Sequence, residues 1–144
     1  MIVRPVRPED RGQWQPLWDG YNLFYERVLS DEITDVTWAR FFDAGEPVFA
    51  AVAERDGEVV GLVHYLYHRS TTMIEDVCYL QDLFTVAEAR GLGVARALIE
   101  HVYREAAAAG LSRVYWQTHE ANPARKLYDR VASLTPFRRY VKEL

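Results

Sequence analysis

The sequence has a single cysteine, Cys78, which excludes an internal disulfide and any metal site built from several thiolates. It has no apolar run near the ~20 residues that a membrane-spanning helix needs. Its first ten residues, MIVRPVRPED, lack the apolar core of a secretory signal. The expectation is a soluble, cytoplasmic protein. An excess of basic residues is missing too. The formal net charge is −4, which argues against a nucleic-acid partner, because such proteins carry a basic face. The same balance suits a cationic small molecule drawn to an acidic surface. Repeats, low-complexity tracts and linker-like stretches are absent, so the 144 residues read as one domain, 1–144, long enough to bury a core.

What is present is ordinary in amount and uneven in place. Hydrophobic residues make up 49% and charged residues 26%, the values of a globular chain. Aromatic residues make up 13%, and much of that falls in residues 14–42 and 115–140. Ile2–Val6 reads as a first strand. Trp14, Leu17, Trp18, Tyr21, Phe24, Tyr25 and Val28 recur three or four apart, the period of a helix with one apolar face. A second helix is expected from Thr34, as its N-cap, to Asp43, stopped by Gly45–Pro47. Val48–Ala53 and Val59–His68 flank Asp56-Gly57, a two-residue hairpin signal. Ile74–Val86 is a further strand, long enough to predict a bulge within it. Val94, Leu98, Val102 and Ala106 line a helix that ends at Gly110. Arg113–His119 reads as a strand, Asn122 and Pro123 as the N-cap and first turn of a last helix, and Phe137–Val141 as a closing strand. Hairpins followed by β-α-β predict an α/β fold, a mixed sheet with helices on its faces.

The sharpest local feature is Arg90-Gly91-Leu92-Gly93-Val94-Ala95-Arg96, between a strand and an amphipathic helix. Glycines there let backbone N–H groups approach an anion without interference from Cβ. The helix N-terminus adds free donors and roughly half a positive charge, so pyrophosphate is the natural guest. The nucleotide-triphosphate loop is excluded, since no Gly-Lys-Ser/Thr follows. The dinucleotide fingerprint fails because Arg96 stands where its third glycine belongs. A third pattern, Gln/Arg-x-x-Gly-x-Gly/Ala, is filled by Arg90, Gly93 and Ala95.

That third pattern is the acyl-CoA pyrophosphate motif of the GNAT N-acetyltransferase superfamily, which the chain resembles over nearly its whole length. Tyr79–Val86, the turn at 90–96, Tyr115–Asn122 and Ala124-Arg125-Lys126-Leu127-Tyr128-Asp129 fall in family order. With the aromatic Tyr21-Asn22-Leu23-Phe24-Tyr25 they resemble the Hpa-type branch, associated with small amines, amino acids or protein lysines. The resemblance implies a mostly antiparallel sheet whose strand at 74–86 splays from the strand at 113–119 to leave an acetyl-CoA cleft. Leu83, Phe84, Thr85 and Val86 would present backbone groups to the pantetheine arm. Arg90, Gly91, Leu92, Gly93, Val94, Ala95 and Arg96 would cradle the pyrophosphate, and Asn122 would touch the cofactor near its thiol end. Relatives of this type often form homodimers, sometimes through their last strands, so Arg138, Arg139 and Tyr140 lie either at an interface or on open surface. Two departures stand out. Asn122 and Tyr128 are six residues apart where the family usually has seven, and polyamine-type relatives carry Glu where this chain has Gln81.

Acetyl transfer to an amine requires an unprotonated nucleophile, donors for the oxyanion and a proton for the leaving thiolate. Tyr128, with a reference pKa of about 10, is the candidate acid. Backbone N–H groups around Leu83–Thr85 are the candidate oxyanion donors. Gln81 cannot take a proton, so it is assigned to hold a water through which the amine is deprotonated. Asp82 would attract or orient a cationic amine, and Tyr21 and Tyr25 would line the acceptor pocket. Strand alternation puts Gln81 and Asp82 on opposite faces unless the bulge falls between them. No metal is expected, because His64 and His68 would be about 13 Å apart on their strand at ~3.3 Å per residue. His119 is either a base or an ordinary strand-end residue, Cys78 a small core residue, and Glu100–Arg104 a solvated i, i+4 pair. The acceptor stays open among a small amine or amino acid, a protein lysine, and no acceptor at all in an acyl-CoA-binding sensor.

Overall fold

The computed structural model, which describes residues 1–144, turns the chain back on itself at Asp56 and Gly57. Both have positive φ, 52° and 79°, the twist that a two-residue hairpin turn demands. Around that hairpin the strands β1 (Ile2–Pro5), β2 (Val48–Arg55), β3 (Glu58–His68), β4 (Val77–Thr85) and β5 (Val114–Tyr115) lie side by side in chain order. The first four run antiparallel and β5 joins β4 in parallel. Helices α1 (Arg11–Phe24) and α2 (Asp31–Arg40) cover one face. Helices α3 (Val94–Ala108) and α4 (Arg125–Val131) cover the other. The α/β class, the mixed and mostly antiparallel sheet and the helices on both faces are as the sequence predicts.

Alternation along the strands separates two cores. Leu62 of β3 packs with Trp14, Leu17, Trp18 and Tyr21 of α1, while its neighbour Val63 packs with Leu98, Ile99 and Val102 of α3. Full burial of each such aliphatic side chain is worth about 1.5–3 kcal/mol. Gly61 decides how closely α3 can approach. A Cβ there would lie 2.7 Å from Val94 Cγ1 and 3.2 Å from the Phe84 carbonyl oxygen. The first turn of α3 therefore rests directly on the sheet, beside the end of β4.

Several element boundaries differ from those expected. The period in residues 14–28 runs past the end of α1. Glu26 turns left-handed (φ 55°), and Glu26 N–H and Arg27 N–H bond back to the carbonyls of Leu23 and Asn22, both at 2.9 Å. Phe24 is consequently exposed and Val28 is 99% exposed. Helix α2 is capped by Ser30, whose Oγ accepts from Ile33 N–H, and not by Thr34. Thr34 is buried instead, where its Oγ1 accepts from Trp18 Nε1. β4 begins at Val77, leaving Ile74 exposed. β5 is two residues, not seven, because it parts from β4 after Tyr115. Helix α4 starts at Arg125, two residues beyond the expected first turn. Phe137–Val141 adds no strand, since β5 offers too little ladder to extend, and Phe137 and Tyr140 are exposed. Glu100 pairs with Arg96 at 3.0 Å, and not with Arg104.

The predicted bulge lies in β4. His64 of β3 pairs with Asp82 and Tyr65 with Leu80, so Gln81 is the extra residue. It resets the phase of the strand. Cys78 and Leu80 face the α3 side, and so does Leu83, while Asp82 and Phe84 turn toward α1.

Candidate active site

β4 and β5 are paired only at Cys78–Val114 and Tyr79–Tyr115. Beyond that point the strands diverge, and the edge of β4 facing β5 is left free from Leu80 to Thr85. The cleft so formed is lined by Gln81 and Leu83 of β4, Trp116 and Thr118 after β5, and Tyr128 of α4. Tyr21 and Tyr25, from the end of α1, close it on the opposite side. The bulge makes Gln81 exposed and lets it reach this cleft.

At the far end of β4 the chain passes through a short 3-10 turn, Ala87–Ala89, into the glycine segment. Gly91 and Gly93 have φ of 77° and 80°, a conformation that residues with a Cβ rarely take. Gly93 is the N-cap of α3, and no side chain caps the helix. The first helical bond is donated by Ala97 to the Gly93 carbonyl. The N–H groups of Val94, Ala95 and Arg96 are thus without partners in the chain, and the first turn carries no acidic residue. The space beside Gly91 and Gly93 is open. Leu92 is half exposed, Arg90 Nε lies 3.4 Å from the Thr85 carbonyl, and Arg96 is held by Glu100. Such a helix end attracts an anion through both its free donors and its dipole.

The α1 side of the bulge holds a chain of buried polar contacts that sequence reasoning did not find. Trp14 Nε1 donates to His64 Nε2 at 3.0 Å, and His64 Nδ1 lies 3.0 Å from Asp82 Oδ2. An indole N–H only donates, so Nε2 is the accepting nitrogen and the ring proton sits on Nδ1, directed at the carboxylate. Trp14 is fully buried and His64 3% exposed. The Asp82 carboxylate also bears on Tyr21, whose hydroxyl is pushed well above its ordinary pKa, first by burial and then by that negative charge. Only the register of β3 on β4, with the bulge in it, puts His64 opposite Asp82.

The remaining expected residues are placed as follows. Tyr128 lines the cleft, packs edge-on against Trp116 at 5.4 Å, and has its pKa raised to about 12, by burial and then by Tyr25. Asn122 serves its own loop, its Oδ1 accepting from Ala124 N–H and its Nδ2 donating to Thr118 Oγ1, both at 2.9 Å. Thr85 Oγ1 is buried without a partner. His119 Nδ1 accepts from Ala121 N–H in a turn beyond β5, and His68 bonds the Tyr115 hydroxyl. Cys78 is fully buried, with its thiol pushed up to about 12 by that burial.

Comparison with known proteins decides what this cleft belongs to. Residues 14–132 match the family described as Acetyltransferase (GNAT) family. The chain belongs to the GNAT acetyltransferase family. It is 37% identical over 138 residues to the D-amino-acid N-acetyltransferase HPA3 of Saccharomyces cerevisiae, covering 94% of this chain and 86% of that protein. It is 26% identical over 130 residues to an uncharacterized N-acetyltransferase, YhfO, of Bacillus subtilis, covering 90% and 87%. The fold is also that of a crystal structure of a probable acetyltransferase, at TM-score 0.86 and 21% identity over 100% of this chain and 98% of the other. As a GNAT N-acetyltransferase the chain uses acetyl-CoA. Its own features fit that molecule: three unpartnered N–H groups and two glycines for an anion, an open strand edge, and an orphaned hydroxyl on Thr85.

Proposed function

We propose that this N-acetyltransferase acetylates the amino group of a free amino acid or similar small amine by direct attack, with Tyr128 as the acid. The observation carrying the reading is the cleft itself, in which the free edge of β4, Gln81 and Tyr128 converge on one space. The yeast relative, 37% identical across most of both chains, supports an amino acid as acceptor. Acetyl-CoA supplies the activated acetyl thioester. Gly91, Gly93 and the first turn of α3 hold its phosphates, with Arg90 and Arg96 at the rim. Backbone groups of Leu83–Val86 hold the pantetheine arm, and an N–H on that strand meets the negative charge that develops on the carbonyl oxygen. Asn122 braces the loop behind the thiol end.

The acceptor enters beside Tyr21 and Tyr25. Asp82 favours its cationic form on approach, and Gln81 holds the water that removes the proton, since an amide cannot take the proton itself. Tyr128 is protonated at neutral pH, as any tyrosine is, and burial raises its pKa further, to about 12. Full transfer from such a group to a thiolate whose conjugate acid lies near ~8.5 is uphill. Its contribution is therefore a hydrogen bond that strengthens as charge builds on the sulfur. Release of free CoA thiol, measured against polyamines, aminoglycosides, D- and L-amino acids and a lysine-rich peptide, tests the acceptor class. Turnover of the amino acids or another small amine supports the reading, and turnover confined to the peptide overturns it.

The same reading includes a homodimer. The segment after α4 exposes Leu134, Phe137, Tyr140 and Val141, and the outer side of β5 is unpaired. Light scattering at micromolar concentration that gives the mass of one chain would refute pairing.

A further inference from the structure

Beside the two tyrosines that line the cleft lies an exposed cation that no step above uses. Arg27 follows the last turn of α1 and is fixed there three times over. Its N–H closes the helix on the Asn22 carbonyl at 2.9 Å, and its Nε donates to Asn22 Oδ1 at 3.2 Å. Its guanidinium carbon sits 5.4 Å from the Tyr21 ring centroid and 5.0 Å from that of Tyr25, the two tyrosines that line the cleft. Asn22 is buried in turn and donates to the Trp18 carbonyl at 2.9 Å. This placement strains the backbone. Glu26, immediately before, holds φ 55°, a conformation unfavourable for a residue with a Cβ and one that glycine usually fills.

Beyond Asn22 and the Tyr21 hydroxyl, on which it bears, the Arg27 guanidinium has no partner in the chain, and it makes no ion pair with a carboxylate. Asp82 is the carboxylate that bears on Tyr21. Both groups act on the Tyr21 hydroxyl, Asp82 raising its pKa and Arg27 opposing that rise. They are not bonded to each other. An acidic and a basic group therefore flank one tyrosine at the mouth of the acceptor pocket, and each lacks a partner of opposite charge at its free atoms.

We infer that Arg27 receives the α-carboxylate of the acceptor, so that the site selects zwitterionic amino acids over amines without a carboxylate. The planar fork of two terminal nitrogens matches a carboxylate in two parallel hydrogen bonds. With the carboxylate on Arg27, the α-amino group points toward Asp82 and Gln81, where it loses its proton. A lysine side chain within a protein has no carboxylate near its amine and gains nothing from this contact. The inference rests on the amino-acid reading above and adds the residue that enforces it.

The test compares kcat/KM for phenylalanine with that for phenylalaninamide, in both the D and the L series, in wild type and in Arg27→Met and Arg27→Lys. In wild type the acid is preferred. In Arg27→Met that preference falls by about 10- to 100-fold, mainly through KM for the acid, as expected for a lost charged hydrogen-bond pair. Arg27→Lys recovers part of it, because the charge remains and the fork does not. Both variants stay folded and keep the stabilisation by acetyl-CoA. If wild type prefers the acid and Arg27→Met keeps that preference, the assignment of Arg27 is overturned while the amino-acid reading stands. If wild type acetylates amines without preferring the acid, the amino-acid reading fails and this inference fails with it.

Discussion

The two faces of the sheet are packed by different means. Against α3 the core is aliphatic, made of Val63, Leu98, Ile99, Val102 and Ala106, with Cys78 among them. Against α1 it is aromatic and threaded with hydrogen bonds, from Trp18 to Thr34 and from Trp14 through His64 to Asp82. The aliphatic face ends in the glycine turn, which on the proposed function carries the cofactor half of the site. The aromatic face ends in Tyr21, Tyr25 and Asp82, which on the same proposal carry the acceptor half. A rigid, non-directional core suffices to seat a helix N-terminus. A carboxylate facing a changing substrate needs partners that hold its direction, and only hydrogen bonds do that.

Substitutions can separate the two halves. The largest effect is expected at Tyr128, whose change to Phe should lower kcat by about 10²- to 10³-fold, the loss of one donor aimed at developing charge, while acetyl-CoA binding is kept. Single-turnover measurement with saturating acetyl-CoA checks this, and an unchanged rate removes Tyr128 from the acid role. Next comes Gly93→Val, which forces a β-branched residue to φ near 80° and fills the space beside the helix end. Acetyl-CoA at a hundredfold over the wild-type Kd should stabilise wild type by about 2.7 kcal/mol and this variant hardly at all. Retained stabilisation in a folded variant would refute the turn as the phosphate site.

His64→Leu should break the other half alone. It leaves the Trp14 indole N–H buried without an acceptor and Asp82 without its donor, each a loss of about 1–3 kcal/mol. The melting temperature falls, the KM for the acceptor rises, and the affinity for acetyl-CoA does not move. A loss of stability with both substrates unaffected would make the relay a packing device with no part in acceptor binding.

The two halves were also unequally legible in the sequence. The glycine turn, the stripe Val94-Leu98-Val102-Ala106 and the hairpin at Asp56-Gly57 are local patterns, and each lies where its spacing predicts. The acceptor half depends on contacts fifty residues apart. Trp14 reads as one more apolar position on a helix, and His64 as one of two histidines on a strand. Which of Gln81 and Asp82 faces which side depends on a bulge that a strand sequence announces only by its length. Arg27 lies in a stretch whose apolar period promises more helix, and a non-glycine residue in the left-handed region gives no warning that the helix has ended.

The smallest expected effect sharpens the contrast between two buried histidines. His64 has both ring nitrogens engaged, while His101 of α3, equally buried, leaves Nε2 without a partner. Burial lowers the pKa of His101, with Glu105 opposing and Arg104 assisting. The folded protein then binds fewer protons at this site than the unfolded chain as pH drops through the ordinary histidine value near ~6.5. Stability from this group is present above that value and lost below it, with a limiting slope of about 1.4 kcal/mol per pH unit. His101→Leu should flatten the melting temperature between pH 6.5 and 5 relative to wild type, while leaving acetyl-CoA binding in place. An equal acid slope in both proteins would assign the loss to other groups and leave His101 as an inert member of the aliphatic face.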